Sequence, residues 1–572
     1  MPFDSGATAQ KTYDLAIIGG GIGGSMLAAA MARNGIEVIV LEAGSYPKFA
    51  IGESMILETS EIMRSLALVF DVPELEHFSA EHFIPVIGGS HGVKRHFSYV
   101  PHREGKKAQH KDVVQAIIPE RPYGHELHLF RQDSDYYFAK VAMKYGADLR
   151  QNTPVADVRI DESGVDIETK AGALIKANYV VDAGGFRSLL AQKHGLRRTD
   201  MQTHTRGLFT HMSGVCSFHD RAATHTKMGL PYSLAEGTLH HVFDGGWLWV
   251  IPFNNHQNST NDLCSVGLLL DPRMHGPTPN ITPEEEFDEF IQRFPDIGTH
   301  LEGAQAVRKW VRADRLQYSS SEVVGDRFCL MGHAAGFIDP LFSKGLYTTL
   351  ASVHSFGQEF LAAHKGGDYS RRAFLRVEEQ TLRYVRSNDR LVANAIKSFG
   401  HSNLWRVYSV IWILGAYLEL VRLTGYRQSI LKQKREDRIS LTPPNLSLVG
   451  GGFAPFEELA ADIDDEIEAL DMNDFNVVEL AVDKIRDRIL SEKWIPHGHR
   501  AIAKGARHLP KKKFTWRLFM TEGGVLGRAD FKNHFFGDTN IFSLVLFMIK
   551  ERIRYSRLLI ARRHRKTRQD AI

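Results

Sequence analysis

Gly19, Gly21 and Gly24 stand at GxGxxG spacing near the N-terminus. This spacing lets the backbone turn tightly and brings the first N–H groups of a helix against a pyrophosphate. Glu42 ends the next apolar run, where a carboxylate accepts ribose hydroxyls. Together they predict a bound dinucleotide and leave FAD and NAD open. Asp339, Pro340, Ser343, Lys344 and Gly345 form a prolyl turn ahead of a helix start, a setting whose N–H groups can hold an anion. Trp247 and Trp249, two residues apart on a strand, point to one face. Lys94 is expected on a strand from Val93 to Val100, sharing a face with His96 and Ser98; burial there would leave it a neutral amine. Arg131 precedes a helix for which Asp133 is the expected N-cap. His204, His211, His219, His225, His240 and His241 form no HExxH or comparable ligand set, so no metal is expected.

The elements that must position these residues follow from periodicity. A strand from Leu15 to Ile18, a helix through Asn34 and a second strand from Glu37 to Leu41 give a βαβ opening around the glycines. Strand-like alternation from Val155 to Val181 ends at Asp182, in a small-residue turn. A β-rich stretch from Phe209 to Leu270 contains the tryptophan pair. A strand from Arg327 to Met331 leads toward the prolyl turn, and the pattern is helical after Val353. Thr442 to Gly452, with paired prolines and a glycine run, is the clearest linker. Val407 to Leu423 is apolar but interrupted by Glu419 and Arg422, and reads as a buried helix.

Two of these segments, Val180–Gly185 and Gly325–Gly336, resemble the FAD-contacting turns of the flavoprotein oxygenase superfamily, with His333 where that superfamily usually has an aspartate. The block Gly246-Trp247-Leu248-Trp249-Val250-Ile251-Pro252 is similar to the WxWxIP block of flavin-dependent halogenases. Asp339-Pro340-Leu341-Phe342-Ser343-Lys344-Gly345 is similar to their DPxxSxG turn, and Gly52-Glu53-Ser54 to their short motif after the second strand. On these motifs the chain is identified as a member of that family, of the tryptophan-halogenase-like kind.

The resemblance implies a mixed α/β fold in which a Rossmann-like FAD-binding domain is interleaved with a β-sheet substrate domain. FAD elements are expected near 12–60, 125–190 and 320–355, the substrate sheet near 80–105 and 205–310, and a helical region over 401–572. It implies FAD reduced by a separate flavin reductase, and oxygen and chloride or bromide converted to hypohalous acid. It assigns Gly19, Gly21, Gly24, Glu42, Glu53, Arg131, Asp182, Asp339 and Pro340 to the cofactor. Ser343, Lys344 and Gly345 fall to the halide, and Lys94, Trp247, Trp249 and Ser343 to catalysis. Phe342 stands where free-tryptophan halogenases carry a glutamate, which favours a phenol- or pyrrole-like ring, free or carrier-tethered. The competing readings are a flavin monooxygenase, a reductase of the geranylgeranyl-reductase type, and a catalytically silent flavoprotein scaffold.

Composition is compatible with an enzyme: 572 residues, 43% hydrophobic and 24% charged, with a net charge of +3 that gives no nucleic-acid signature. Three cysteines make no disulfide framework, and MPFDSGATAQ lacks signal-peptide features, so a cytoplasmic setting is expected. The near-neutral total hides an asymmetry. Residues 550–572 carry nine Lys and Arg against Glu551 and Asp570, a net of +7 on a body of −4. Residues 541–568 are therefore expected to meet an anionic membrane face or an acidic carrier protein.

Overall fold

The computed structural model describes residues 11–120, 123–221, 228–444, 446–509, 529–535, 542–543, 545–554 and 556. The opening βαβ unit sits at the middle of an eight-stranded sheet. Thr12–Ile18 lies parallel to Leu174–Asp182 on one side and Val38–Leu41 on the other. Phe328–Leu330 and Asp148–Arg150 extend the parallel set outward. Val155–Asp161 and Gly164–Thr169 add an antiparallel meander, and Val324–Gly325 closes one edge. The central strands are apolar on both faces because helices cover both sides. The helix Ile22–Arg33, rich in alanine, packs against the helices Arg131–Lys144 and Lys344–Gly366.

A second eight-stranded sheet runs in the order Gln305–Ala306, Arg206–Ser213, Cys264–Leu270, Gly246–Pro252, Thr238–Phe243, His96–Pro101 and Val114–Ile117, with Val311–Ala313 also paired to Arg206–Ser213. One hydrophobic core extends from Tyr13 under the first sheet into the C-terminal helices, and a smaller one lies on the other side of the second sheet. The expected division near residue 400 falls at the turn between the helices Leu375–Ser398 and Ser402–Lys432, and both helices contribute to that first core.

Three local expectations are corrected. The strand expected from Val93 to Val100 is two. Gly92–Lys94 pairs with Glu126–His128, and at Arg95, whose N–H goes to the Glu236 carbonyl, the chain changes sheets before His96–Pro101 begins. His96 and Ser98 do share a face, Nδ1 to Oγ at 2.9 Å, whereas Lys94 belongs to the other ribbon. Asp133 is not an N-cap: the helix begins at Arg131 with Phe130 as its cap, and the Asp133 carboxylate accepts from Ser90. The Thr442–Gly452 connection packs into the protein, with Leu446 and Leu448 buried and the Gly451 N–H donating to Glu419 at 2.8 Å. The helix Ser402–Lys432 is long and apolar enough to cross a membrane, yet most of it is buried inside the protein. Its charged Glu419 and Arg427 are both fully covered and paired.

Candidate active site

At the glycine turn, sterics explain the sequence. Gly19 has φ of +101°, and a Cβ there would stand 2.7 Å from the Ala183 carbonyl oxygen. A Cβ on Gly24 would stand 2.1 Å from the Gly19 carbonyl oxygen, so strand and helix can meet only through hydrogen. Gly21 is different. It caps the helix without a side-chain hydrogen bond, and the nearest atom to a Cβ there is 4.0 Å away. That leaves uncapped N–H groups facing open space, which fits a pyrophosphate. Glu42 accepts the Gly20 and Gly44 N–H groups at 2.7 and 2.9 Å and pairs with Lys48. Burial opposes its charge, but Lys48 and the two N–H donors hold the carboxyl below its ordinary value. This carboxylate at the strand end fits a ribose.

The other residues assigned to the cofactor are engaged with the protein. Asp182 closes its own turn, accepting from the Gly184 N–H, the Ser188 hydroxyl and the Leu190 N–H. Arg131 makes a two-pronged pair with Asp135 at 2.7 and 3.0 Å and donates to the carbonyls of Ile51 and Gly52. Glu53 points to the second sheet, where it meets His211 at 2.6 Å. His333, the departure from the superfamily pattern, is half-buried beside Phe337 with its Nε2 enclosed, and a Cβ on Gly345 would lie 2.9 Å from that nitrogen. That nitrogen has no hydrogen-bond partner among the described residues. Burial, with the Arg131 charge nearby, lowers its pKa to about 4. A neutral imidazole with an unpaired nitrogen can exchange a hydrogen bond with a flavin side chain, so the pocket fits FAD here as well.

The prolyl turn is tied at both ends. Asp339 is buried, accepting from the Leu341 N–H at 2.9 Å and the Thr205 hydroxyl at 3.2 Å, and burial pushes its carboxyl up to about 7. The Ser343 N–H donates back to the Pro340 carbonyl at 2.9 Å, and Ser343, in the left-handed region at φ 56°, caps the helix without a side-chain bond. Gly345 lies in its first turn. The Lys344 ammonium turns away from the uncapped N–H groups: it pairs with Glu58 at 2.5 Å, with both groups buried.

Lys94 is completely buried. Its Nζ donates to the Ser54 hydroxyl at 2.6 Å and the Met55 carbonyl at 2.7 Å, and stands 3.3 Å from the Phe97 ring centroid. Burial carries its pKa well below the ordinary lysine value, with Lys344 adding repulsion and Glu126 and Glu58 opposing. The other face of this region is a cavity of about 610 Å³ lined by Phe97, Ile117, Phe342, Trp412, Glu58 and Lys344, among others. Phe342 stacks on Trp412 at 4.8 Å, and Trp412 meets the Phe97 edge at 5.1 Å. Trp247 and Trp249 share one face, as their spacing requires, with ring centroids 5.7 Å apart. Trp249 donates to Ser265 at 3.1 Å, and its ring lies over Gly267, where a Cβ would be 2.1 Å away.

A model of the tryptophan halogenase family matches residues 94–388, more than half of the chain. The chain belongs to that family. A Rossmann-like NAD(P)-binding model matches residues 17–49. The enzyme is 39% identical over 464 residues to the monodechloroaminopyrrolnitrin halogenase PrnC of Pseudomonas fluorescens, covering 80% of this chain and 81% of the relative. It is 41% identical over 406 residues to the tetracycline 7-halogenase of Kitasatospora aureofaciens, covering 70% and 73%. The halogenase PltM, solved with phloroglucinol and FAD, superposes with a TM-score of 0.81 at 33% identity over 87% of this chain and 99% of PltM. The enzyme is thus a halogenating oxidoreductase that uses FAD and a halide on an electron-rich small molecule. The family sets aside the monooxygenase, reductase and silent-scaffold readings.

Sequence reasoning did not single out Glu58, Phe97 and Trp412. They come from three distant segments, and each carries an ordinary helix or strand signal by itself. Among the histidines, His241 bridges His102 at 2.8 Å and His300 at 3.1 Å under the second sheet, while His225 lies outside the described residues. Among the described residues no group of three His, Cys, Asp or Glu side chains is arranged to hold a metal ion.

Proposed function

We propose that the enzyme halogenates a free phenol-, aniline- or pyrrole-like ring in the cavity of Phe97, Phe342 and Trp412, and that Lys94 delivers the halogen. Bound FAD, reduced by a separate flavin reductase, supplies with oxygen the oxidant that turns chloride or bromide into hypohalous acid. The observation that carries the reading is the position of Lys94: fully buried, bonded to Ser54 and Met55, and 3.3 Å from the ring centroid of a cavity-lining phenylalanine. A lysine with its pKa depressed by burial offers a neutral nitrogen. That nitrogen either hydrogen-bonds hypohalous acid or forms an N–halogen bond with loss of water, and the electron-rich ring then takes the halogen. The Gly19, Gly21 and Gly24 turn and Glu42 hold the dinucleotide. The uncapped helix start at Ser343, Lys344 and Gly345 offers the halide its N–H groups, with Pro340 fixing the turn. Trp247 and Trp249 wall the flavin side from the organic substrate.

Lys94→Ala is expected to retain FAD and to lose halogenation by roughly 100-fold or more, measured as brominated product by mass against bound-flavin absorbance. An unchanged rate in a folded, flavin-loaded variant sinks the role of Lys94.

The tail supports a cytoplasmic enzyme held at the inner membrane face. Phe542, Leu546, Ile549 and Ile553, exposed at 81, 51, 50 and 47%, fall on one side of the C-terminal segment. Phe547 and Glu551 turn inward, with Glu551 bonded to the buried Arg427 at 2.6 Å. The outer stripe neighbours Lys550 and Arg552 and leads into the basic run over 557–568, which lies outside the described residues. Apolar side chains rimmed by cations suit an anionic bilayer. The enzyme is expected to sediment with phosphatidylglycerol vesicles and less with phosphatidylcholine; equal behaviour with and without vesicles overturns this.

A further inference from the structure

The geometry points to Glu58, held by Lys344, as the group that orients the substrate ring by accepting a hydrogen bond from its O–H or N–H. This rests on the aromatic-substrate reading above and adds how the ring is chosen and turned.

The argument begins with the polarity of the cavity. Its aromatic wall can hold any flat ring of suitable size and has no means of choosing which carbon faces the halogen. Orientation needs a polar group, and three buried carboxylates line the space: Glu58, Glu61 and Glu126. Glu61 is spent, one oxygen on Arg427 at 2.6 Å and the other on Arg64 at 3.0 Å. Glu126 accepts from the Ser60 hydroxyl, and burial pushes its pKa up to about 7, away from the ionised form. Glu58 has a buried cation beside it: its Oε1 takes the Lys344 ammonium at 2.5 Å, and no donor among the described residues reaches its Oε2. Among the described residues lining the cavity, Glu58 is therefore the carboxylate with a fixed counter-cation and an unused acceptor oxygen.

Its placement matches the chemistry. Glu58 lies in the first turn of the helix Leu57–Val69, three residues after Met55, whose carbonyl accepts from the Lys94 Nζ. Lys344 follows directly on the prolyl turn. One short segment thus joins the halogen-delivering amine, the acceptor carboxylate and the halide turn. When a phenol or aniline donates to Glu58, electron density rises at its ortho and para carbons. As a ring carbon gives its electron pair to the halogen, the O–H or N–H proton passes to the carboxylate. It returns when the ring carbon loses its own proton and aromaticity is restored. If the halogen comes from hypohalous acid, the released hydroxide and that ring proton leave as water; if it comes from an N–halogen bond, the Lys94 nitrogen keeps that bond's electron pair and takes the ring proton, which restores the amine.

The test compares resorcinol with 1,3-dimethoxybenzene, both electron-rich, on the FAD-loaded enzyme with bromide. The wild type is expected to favour the phenol in kcat/KM by about 10- to 100-fold, the range of one charge-assisted hydrogen bond. In Glu58→Gln the ratio is expected to collapse toward unity, with kcat on resorcinol falling more than KM rises, and Glu58→Asp to recover part of it. Removing one partner leaves the Lys344 cation buried, so if Glu58→Gln does not fold, the double variant E58Q/K344M, which carries neither charge, is read the same way. A retained phenol preference, or equal losses on phenol and ether, overturns the role of Glu58 while leaving the substrate class standing. A wild type that brominates neither ring overturns the substrate reading and this inference with it.

Discussion

Lys94 sits where water cannot stabilise its charge, and among the described residues its direct hydrogen-bond partners are a hydroxyl and a carbonyl. The sign of the resulting pH effect is fixed. Because burial lowers its pKa, the neutral form gains population as pH rises through that depressed value, well before an ordinary lysine would titrate. Halogenation is therefore expected to climb with pH and level off far below the normal lysine value near 10.5. Single-turnover rates on preloaded, reduced enzyme would show it. A profile that keeps climbing to that normal value contradicts a buried neutral amine. Phe342 makes a related point at the same scale: where a glutamate was missed, an aromatic ring stacks on Trp412, and the carboxylate in the cavity comes from Glu58 on another helix.

Among the elements, the helix Ile22–Arg33 bears a tight backbone constraint. Its first turn touches the strand through Gly24, with no room for a methyl group between them. Gly24→Ala is expected to push helix and strand apart, costing about 1–3 kcal/mol of stability as an overpacked contact and weakening FAD retention about tenfold or more. Denaturant midpoints and flavin released on gel filtration measure the two effects. Retention like the wild type would mean that the turn does not carry the cofactor. Ser402–Lys432 shows the opposite relation of sequence to setting. Its apolar length would suit a bilayer, yet Trp412 reaches the substrate cavity, and Arg427 ties it to Glu61 and to the tail residue Glu551.

Across the whole molecule, buried titratable groups set the response to acid. Burial pushes His96, His128 and His240 down to about 3, and His91, His300 and His333 to about 4. Between those values and 6.5 the unfolded chain binds protons that the folded one refuses, so these side chains lower stability as pH falls. Asp339, Glu126 and Glu419, each raised to about 7, act the other way, because the folded state keeps protons that unfolded carboxylates have lost. These six imidazoles, together with His102, His354 and His499, which burial likewise lowers to about 3, outnumber the three carboxyls. Tm is expected to drop between pH 6.5 and 5, read by calorimetry; a Tm that holds or rises on acidification refutes this balance.

Local rules were enough for much of the molecule. The glycine spacing, the carboxylate at the second strand end, the tryptophan face and the prolyl turn depend on backbone sterics and short-range periodicity, which a sequence carries directly. The two-sheet plan and the helical C-terminal part followed from the same signals and the family motifs. What sequence periodicity could not supply was the change of sheet at Arg95, since strand alternation continues across it while the hydrogen-bond partners change. Nor could it show that Arg131 and Lys344 would spend their charges on Asp135 and Glu58, because the partner of a buried cation is chosen by what the fold packs beside it. The substrate cavity belongs to the tertiary structure for the same reason: Glu58, Phe97, Phe342 and Trp412 are far apart in the chain, and only the shared burial of their elements brings them together.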